Sequence, residues 1–414
     1  MDTLCINGGT KLQGILPGQV SKNAFIPILA ASMLCEEEVC LKNAPEILDV
    51  ATYRNIMGSI GVKTKRHAAN LLVKADSLNT WKIPPEFDQT ARGITLMLGT
   101  IGARFGRVKM PFPGGCKIGE RKLDAHFEVM RGMGYDVSFE EESILATQTK
   151  RGVTEIPLSF PSVSATLLAL IMASLRKEQT VVSNAAREPE IVDLANFLTC
   201  MGAKITDAGS PCITITGVDE LHGTEYEAIP DRIVSGTYLV ASALVGEKLR
   251  VTKVRLDHLI EVIAKLREAS VVIHQENDYV ETYINEIHPV NITTAVYPGF
   301  PTDLQPIFST LATVAKGHST IQETMYNNRI AHVAELRKMG AKITVKGNTI
   351  SIHGVDRLHG AQVQANDLRA GAALVLAGLV AEGTTKIRNI AQVDRGYDHL
   401  DEKLTHIGAD IWRE

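Results

Sequence analysis

The sequence carries no large excess of charge, no long apolar run and no patterned set of cysteines, and each absence excludes something. Lys and Arg number 43 against 47 Asp and Glu, a net charge of −4, which gives no footing for nucleic acid or an anionic membrane surface. No stretch reaches the ~20 uninterrupted apolar residues that a membrane span needs. The N-terminus, MDTLCINGG, lacks the basic start and apolar core of a secretory leader, so a cytoplasmic location is expected. The cysteines, at positions 5, 35, 40, 116, 200 and 212, follow no disulfide or metal spacing, and Cys35 and Cys40 have no matching second pair. They read as reduced thiols, mostly small buried hydrophobes. The motifs GxxxxGK[ST], GxGxxG after a strand, HExxH and GxSxG are all missing. His126, His332 and His399 each open a predicted helix and read as surface or capping groups.

What is present is repetition. A helical stretch that ends in Gly and runs into a short β-branched segment recurs at Gly61, Gly134, Gly202, Gly340 and Gly408, with Ser270 standing in at the fourth position. The closing Gly suits a left-handed helix cap. The intervals are 73, 68, 68, 70 and 68 residues, which makes the chain six copies of one unit of helices and strands. A second ladder lies inside the first, opening at Ser21, Thr90, Ser162, Asp231, Thr302 and Asp367. Ser, Thr and Asp are favoured N-caps because their oxygens satisfy orphan backbone N–H groups. The bodies that follow, such as AFIPILAASML and ATLLALIMASL, are apolar on every face, which marks buried helices. The Gly-ended helices are amphipathic instead. In EIVDLANFLTCMG the residues Ile191, Leu194, Leu198 and Met201 keep the 3–4 spacing, which predicts an outer layer. Two units nearly repeat in plain text: MGAKIT at Met201 and Met339, then GVDELHG at Gly217 and GVDRLHG at Gly354. Six units exceed one ordinary core, so two domains of three units are expected.

Candidate functional residues follow the inner caps. Lys22 and Asn23 come after Ser21, Arg92 after Thr90, Ser164 after Ser162, Arg232 after Asp231, Asp303 after Thr302 and Arg369 after Asp367. The N-terminus of a helix is already positive, so a cation there is unfavourable unless an anion is shared. Lys22, Arg92 and Arg369 therefore predict a common anion, while surface ion pairing remains the plainer alternative. Arg329 and Arg395, each just before an outer helix, join the candidates. The stretch PFPGGCKIGERKLD, residues 111–124, reads as a loop, and loops of this composition often act as lids. Cys116 follows two glycines beside Lys117 and Arg121, a setting that favours the thiolate.

These residues carry a family resemblance. The chain resembles the enolpyruvyl transferases from end to end, most strongly at SKNAFIPILAAS, PGGCKIGER, FPSVSAT, EPEIVDLANFL, PDRIVSGT, FPTDLQ, NNRIAH, NDLRAGAALVLAGLVAEGTT and DRGYD. The resemblance implies an α/β protein of two inside-out αβ barrel (prism) domains, each of three repeats around buried helices. The active site lies in the cleft between them. Because the family's first strand crosses to the second domain, the expected division is 22–229 against 1–21 plus 230–414. It further implies transfer of the enolpyruvyl group of phosphoenolpyruvate to the 3-hydroxyl of UDP-N-acetylglucosamine, the first committed step of peptidoglycan precursor synthesis.

Carried over by motif, Lys22, Arg121 and Arg395 hold the phosphate of phosphoenolpyruvate. Arg329 and Arg369 lie on the same anionic side, and Arg92 contacts both substrates as the lid closes. Asn23 and Asp303 address the sugar, Asp303 near the attacking hydroxyl. Arg121, Lys122, Leu123 and Asp124, with Ser162, Val163 and Ser164, touch the uridine diphosphate. Cys116 is the family's loop cysteine, alkylated by fosfomycin, and catalytic together with Asp303, Lys22 and Arg395. No metal or other cofactor is implied, because arginines supply the positive charge. The protein is expected to be a monomer or weak homo-oligomer that binds small molecules. The family usually has Gly where this chain has Ser164 and Pro where it has Lys122, both at the nucleotide end. Two alternatives therefore stay open: a specialised paralogue with another nucleotide or nucleotide-sugar acceptor, and an inactive UDP-sugar-binding homologue.

Overall fold

The computed structural model describes residues 2–87, 92–112, 123–140, 142–150, 152–276 and 279–414. Its helices, in chain order, are α1 (Lys22–Ala31), α2 (Leu48–Ser59), α3 (Leu96–Phe105), α4 (Asp124–Gly132), α5 (Val163–Ala173), α6 (Pro189–Cys200) and α7 (Arg232–Val245). They continue with α8 (Ile260–Glu268), α9 (Gln305–Thr313), α10 (Ala331–Lys338), α11 (Leu368–Val380), the short α12 (Ala391–Asp394) and α13 (Leu400–His406). None among the described residues is long and apolar enough to cross a membrane.

The apolar side chains form two separate cores. One draws on residues 20–228 and the other on residues 4–16 and 233–409. At the centre of the first lies α3, packed on α1 and on α5, and at the centre of the second lie α7, α9 and α11, which pack on one another. Ala165 through Ala173 of α5 are all buried, as the apolar pattern predicts. Each large side chain removed from water in this way stabilises the fold by about 1.5–3 kcal/mol. Close packing of α3 on α5 depends on Gly99, where a Cβ would stand 2.7 Å from Leu168 Cδ1. Any larger residue there would push the helices apart.

Six small sheets pack around these helices, three to each core, giving the two-domain inside-out αβ fold. Five are four-stranded and share one plan. Asn291–Thr293 pairs parallel with His318–Gln322, which pairs antiparallel with Thr349–His353, and that strand with Lys342–Lys346. In the sheet built on Arg107–Pro111, Ser143–Gln148 and Tyr135–Glu140, the fourth place is held by a single parallel bridge from Lys82 to Lys109. The last sheet of the second core borrows Thr3–Asn7, which pairs with Thr384–Arg388 and Asp410–Arg413. The chain passes between the cores twice at one place. There Ser21 N–H donates to Ile229 C=O and Asp231 N–H to Gln19 C=O, both at 2.8 Å.

The Gly-ended ladder is a set of helix caps. Gly61, Gly134, Gly202, Gly340 and Gly408 all have φ between +89° and +119°, and Ser270 adopts +67° in the same role. After α2, Gly61 N–H reaches Gly58 C=O and Val62 N–H reaches Met57 C=O, the paired bonds of a Schellman cap. Leu198 with Ala203, Leu266 with Val271, Leu336 with Ala341 and Leu404 with Ala409 repeat the longer bond.

Several expectations need correction. Thr302 does not cap α9. It lies inside a 3₁₀ turn, Thr302–Leu304, and its Oγ1 donates to Glu323 Oε2 and accepts from Arg329 Nη1. Thr90 falls outside the described residues, and Arg92–Thr95 forms a 3₁₀ turn leading into α3. His126 and His332 are buried, not surface groups. His332, in the first turn of α10, is hydrogen-bonded to Ser309 Oγ at 3.0 Å, and burial together with Arg329 pushes its pKa down to about 3. The outer helix α6 is buried on more than its apolar stripe, since Glu190 and Asp193 are covered as well.

Candidate active site

Four helix N-termini open onto one cleft, two from each core. Ser21 Oγ caps α1 by accepting from Ala24 N–H, and Ser162 Oγ caps α5 by accepting from Ala165 N–H. Asp231 Oδ1 accepts from Ile233 and Val234 N–H at the start of α7, and Asp367 Oδ1 from Arg369 and Ala370 N–H at the start of α11. Caps of this kind fix the first turn of each helix and so place the residue that follows. The cleft has a volume of about 1160 Å³, above the ~300–1,000 Å³ common for a single small-molecule site.

Lys22, Asn23, Leu123, Ser162, Val163, Ser164, Asp303, Arg329, Arg369 and Arg395 all line this cleft. Asp124 is exposed at the first turn of α4 and is absent from the lining. The Arg92 backbone opens the 3₁₀ turn whose Gly93 and Thr95 line the cleft. Cys116, Arg121 and Lys122 lie outside the described residues.

The cations are organised by two carboxylates. Asp303 Oδ1 is 2.8 Å from Arg329 Nη1, while its Oδ2 accepts from Arg369 Nη2 at 2.8 Å and Nε at 3.1 Å. Both guanidiniums are almost wholly covered. Burial alone would lower the pKa of Arg369, but Asp303, Tyr397 and Asp231 outweigh it and hold the charge. The second carboxylate is Asp49, on the first turn of α2. Its Oδ2 stands 2.6 Å from Lys22 Nζ and its Oδ1 accepts from Arg395 Nε at 2.9 Å. Burial pushes the Asp49 carboxyl up, yet Lys22 and Arg395 hold it below its ordinary range. A third pair spans the cores: Arg232 Nε donates to Glu190 Oε1 at 3.0 Å, with the guanidinium over the Tyr297 ring.

Asp49 and Glu190 escaped the sequence reading for one reason. An acid in the first turn of a helix is the ordinary complement to the helix dipole, so nothing marked these two as special. Arg232 was visible as a cation after a cap but carried no site assignment. Arrangements of this kind suit an anionic substrate held in a site screened from water, with a partly open carboxylate beside it.

A family model described as EPSP synthase (3-phosphoshikimate 1-carboxyvinyltransferase) matches residues 6–404. The chain belongs to this family of enolpyruvyl (carboxyvinyl) transferases. Among its relatives, the UDP-N-acetylglucosamine 1-carboxyvinyltransferase of Serratia proteamaculans is 43% identical over 416 residues, covering 100% of this chain and 99% of that one. The protein of the same name from Trichlorobacter lovleyi is 41% identical with the same coverage. Of solved structures, the enolpyruvyl transferase NikO from Streptomyces tendae superposes with a TM-score of 0.89 at 25% identity, covering 100% of this chain and 99% of that one. An EPSP synthase from Acinetobacter baumannii gives 0.74 at 17% identity over 100% of both chains, a likeness of fold.

Proposed function

We propose that this protein transfers the enolpyruvyl group of phosphoenolpyruvate to the 3-hydroxyl of UDP-N-acetylglucosamine and releases phosphate. The observation that carries the reading is full-length identity above 40% to relatives named for that reaction, in a chain whose cleft gathers Lys22, Arg329, Arg369 and Arg395. The product feeds peptidoglycan synthesis, and the protein works in the cytoplasm as a monomer or weak homo-oligomer. Its domains are residues 22–229 and residues 1–21 with 230–414, and the substrates meet between them.

Lys22, Arg121 and Arg395 take the phosphate, and Arg329 and Arg369 extend the positive field toward the carboxylate. Arg92 closes over both substrates. Asn23 and Asp303 hold the sugar, while residues 121–124 and 162–164 hold the uridine diphosphate. Protonation of the methylene carbon, with Cys116 as the acid, makes an oxocarbenium-like centre at C2. The sugar oxygen bonds to that carbon as Asp303 accepts its proton. The C2–O bond to phosphate then breaks, and a proton leaves the methyl carbon to restore the double bond. Arginines that meet the developing charge without reorganising contribute the electrostatic part of the rate.

Phosphate release from phosphoenolpyruvate tests the reading, with UDP-N-acetylglucosamine, UMP and shikimate 3-phosphate offered separately. Release with the UDP-sugar alone is expected. Ligand-dependent melting without release would mean an idle binder.

A further inference from the structure

Lys22 and Arg395 reach the cleft from different cores, and one carboxylate already stands between them. Asp49 Oδ2 is 2.6 Å from Lys22 Nζ, Oδ1 is 2.9 Å from Arg395 Nε, and Oδ2 is 3.4 Å from Arg395 Nη2. Arg395 is steadied further by Gln392 Oε1, 3.2 Å from its Nη1. Asp49 comes from the first core on α2, Arg395 from the second just beyond α12. The Asp49 side chain is only 7% exposed, so the contact is a fixed part of the cleft lining, not a surface pair of little consequence.

We infer that Asp49 is a positioning residue of the phosphate site, its carboxylate gathering the Lys22 ammonium and the Arg395 guanidinium at one point across the cleft. This rests on the reading that those two cations take the phosphate of phosphoenolpyruvate. The need for such a group follows from what surrounds Lys22. Burial disfavours its charged form, and Arg369 on α11 and Arg395 disfavour it further. Asp49 is the strongest influence in the opposite direction. Asp231, at the start of α7, faces the same segment but spends its Oδ2 on the Lys22 backbone N–H at 3.0 Å. A lysine that sheds its proton offers phosphate no charge, whereas an arginine never does so. Asp49 therefore acts through Lys22 and carries no proton of the reaction itself.

The test is kcat/KM for phosphoenolpyruvate from about pH 6 to about pH 9 in wild type, Asp49→Asn and Asp49→Glu, with calorimetric binding of UDP-N-acetylglucosamine in parallel. Loss of the carboxylate charge lowers the Lys22 pKa, so the high-pH limb of D49N should move down by about one unit or more. At the alkaline end its activity should fall about tenfold further behind wild type than at the acid end, with UDP-sugar affinity unchanged. D49E keeps the charge and should keep the limb in place at reduced kcat/KM, which preserves the test should D49N fail to fold. An unmoved limb in D49N, a D49E limb that moves with it, or an equal loss at every pH would overturn the inference. If wild type does not use phosphoenolpyruvate, or Lys22→Ala and Arg395→Ala leave its KM untouched, the underlying assignment of the phosphate site fails instead.

Discussion

The two carboxylate clamps of the cleft are built alike and exposed differently. Asp49 grips Lys22 from its own core and Arg395 from the other, with 7% of its side chain exposed. Asp303 is gripped by Arg329 and Arg369, both from the second core, yet 25% of it faces the cleft. Each clamp sets one negative charge against two positive ones. Both carboxylates have their two oxygens on cations, and the buried one suits a fixed structural task. The open one can still meet a hydroxyl. Identical chemistry thus yields a positioning group in one place and a candidate base in the other, and burial makes the difference.

The largest effect should come from the open clamp. Asp303→Asn should cut kcat by about 10²–10⁴-fold at every pH, with UDP-sugar binding retained, since it removes the proposed proton acceptor. A loss confined to alkaline pH would make Asp303 a positioning group like Asp49. Arg395→Ala comes next. Removing the charged hydrogen-bonding partner proposed for the phosphate should lower kcat/KM for phosphoenolpyruvate about 10–100-fold, with UDP-sugar affinity nearly unchanged in calorimetry. Equal losses for both substrates would assign the arginine to the other ligand.

Stability should separate the clamps in the same direction. Asp303→Asn leaves two covered guanidiniums that cannot deprotonate, a cost of about 1–3 kcal/mol in urea unfolding. Asp49→Asn leaves Lys22 able to shed its proton and Arg395 26% exposed to water, so its cost should be smaller and should shrink as pH rises. A control lies outside the cleft lining. Ser270 adopts the left-handed conformation that glycine fills in the other five repeats, so Ser270→Gly should stabilise by up to about 1 kcal/mol and leave kinetics alone.

Much of this architecture was legible because it is written in local chemistry. Helix caps demand particular residue types, so Gly61 and its counterparts, and Ser21, Ser162, Asp231 and Asp367, announced themselves. Thr302 misled because its hydroxyl found better partners in Glu323 and Arg329, a tertiary choice invisible to spacing. Burial of His126 and His332 was likewise decided by neighbouring helices, not by position in their own. Among functional residues, cations after a cap stood out because they oppose the helix dipole. Asp49 and Glu190 obey it and were silent. Their importance comes from Arg395 and Arg232, residues of the other core that only the fold brings near.

The most direct test of the account is phosphate release from phosphoenolpyruvate with UDP-N-acetylglucosamine as acceptor, compared with UMP and shikimate 3-phosphate. Rapid turnover is expected with the UDP-sugar and none with the other two. Silence with that sugar and turnover with another acceptor would contradict it, and would make Ser164 and Lys122 the first residues to exchange.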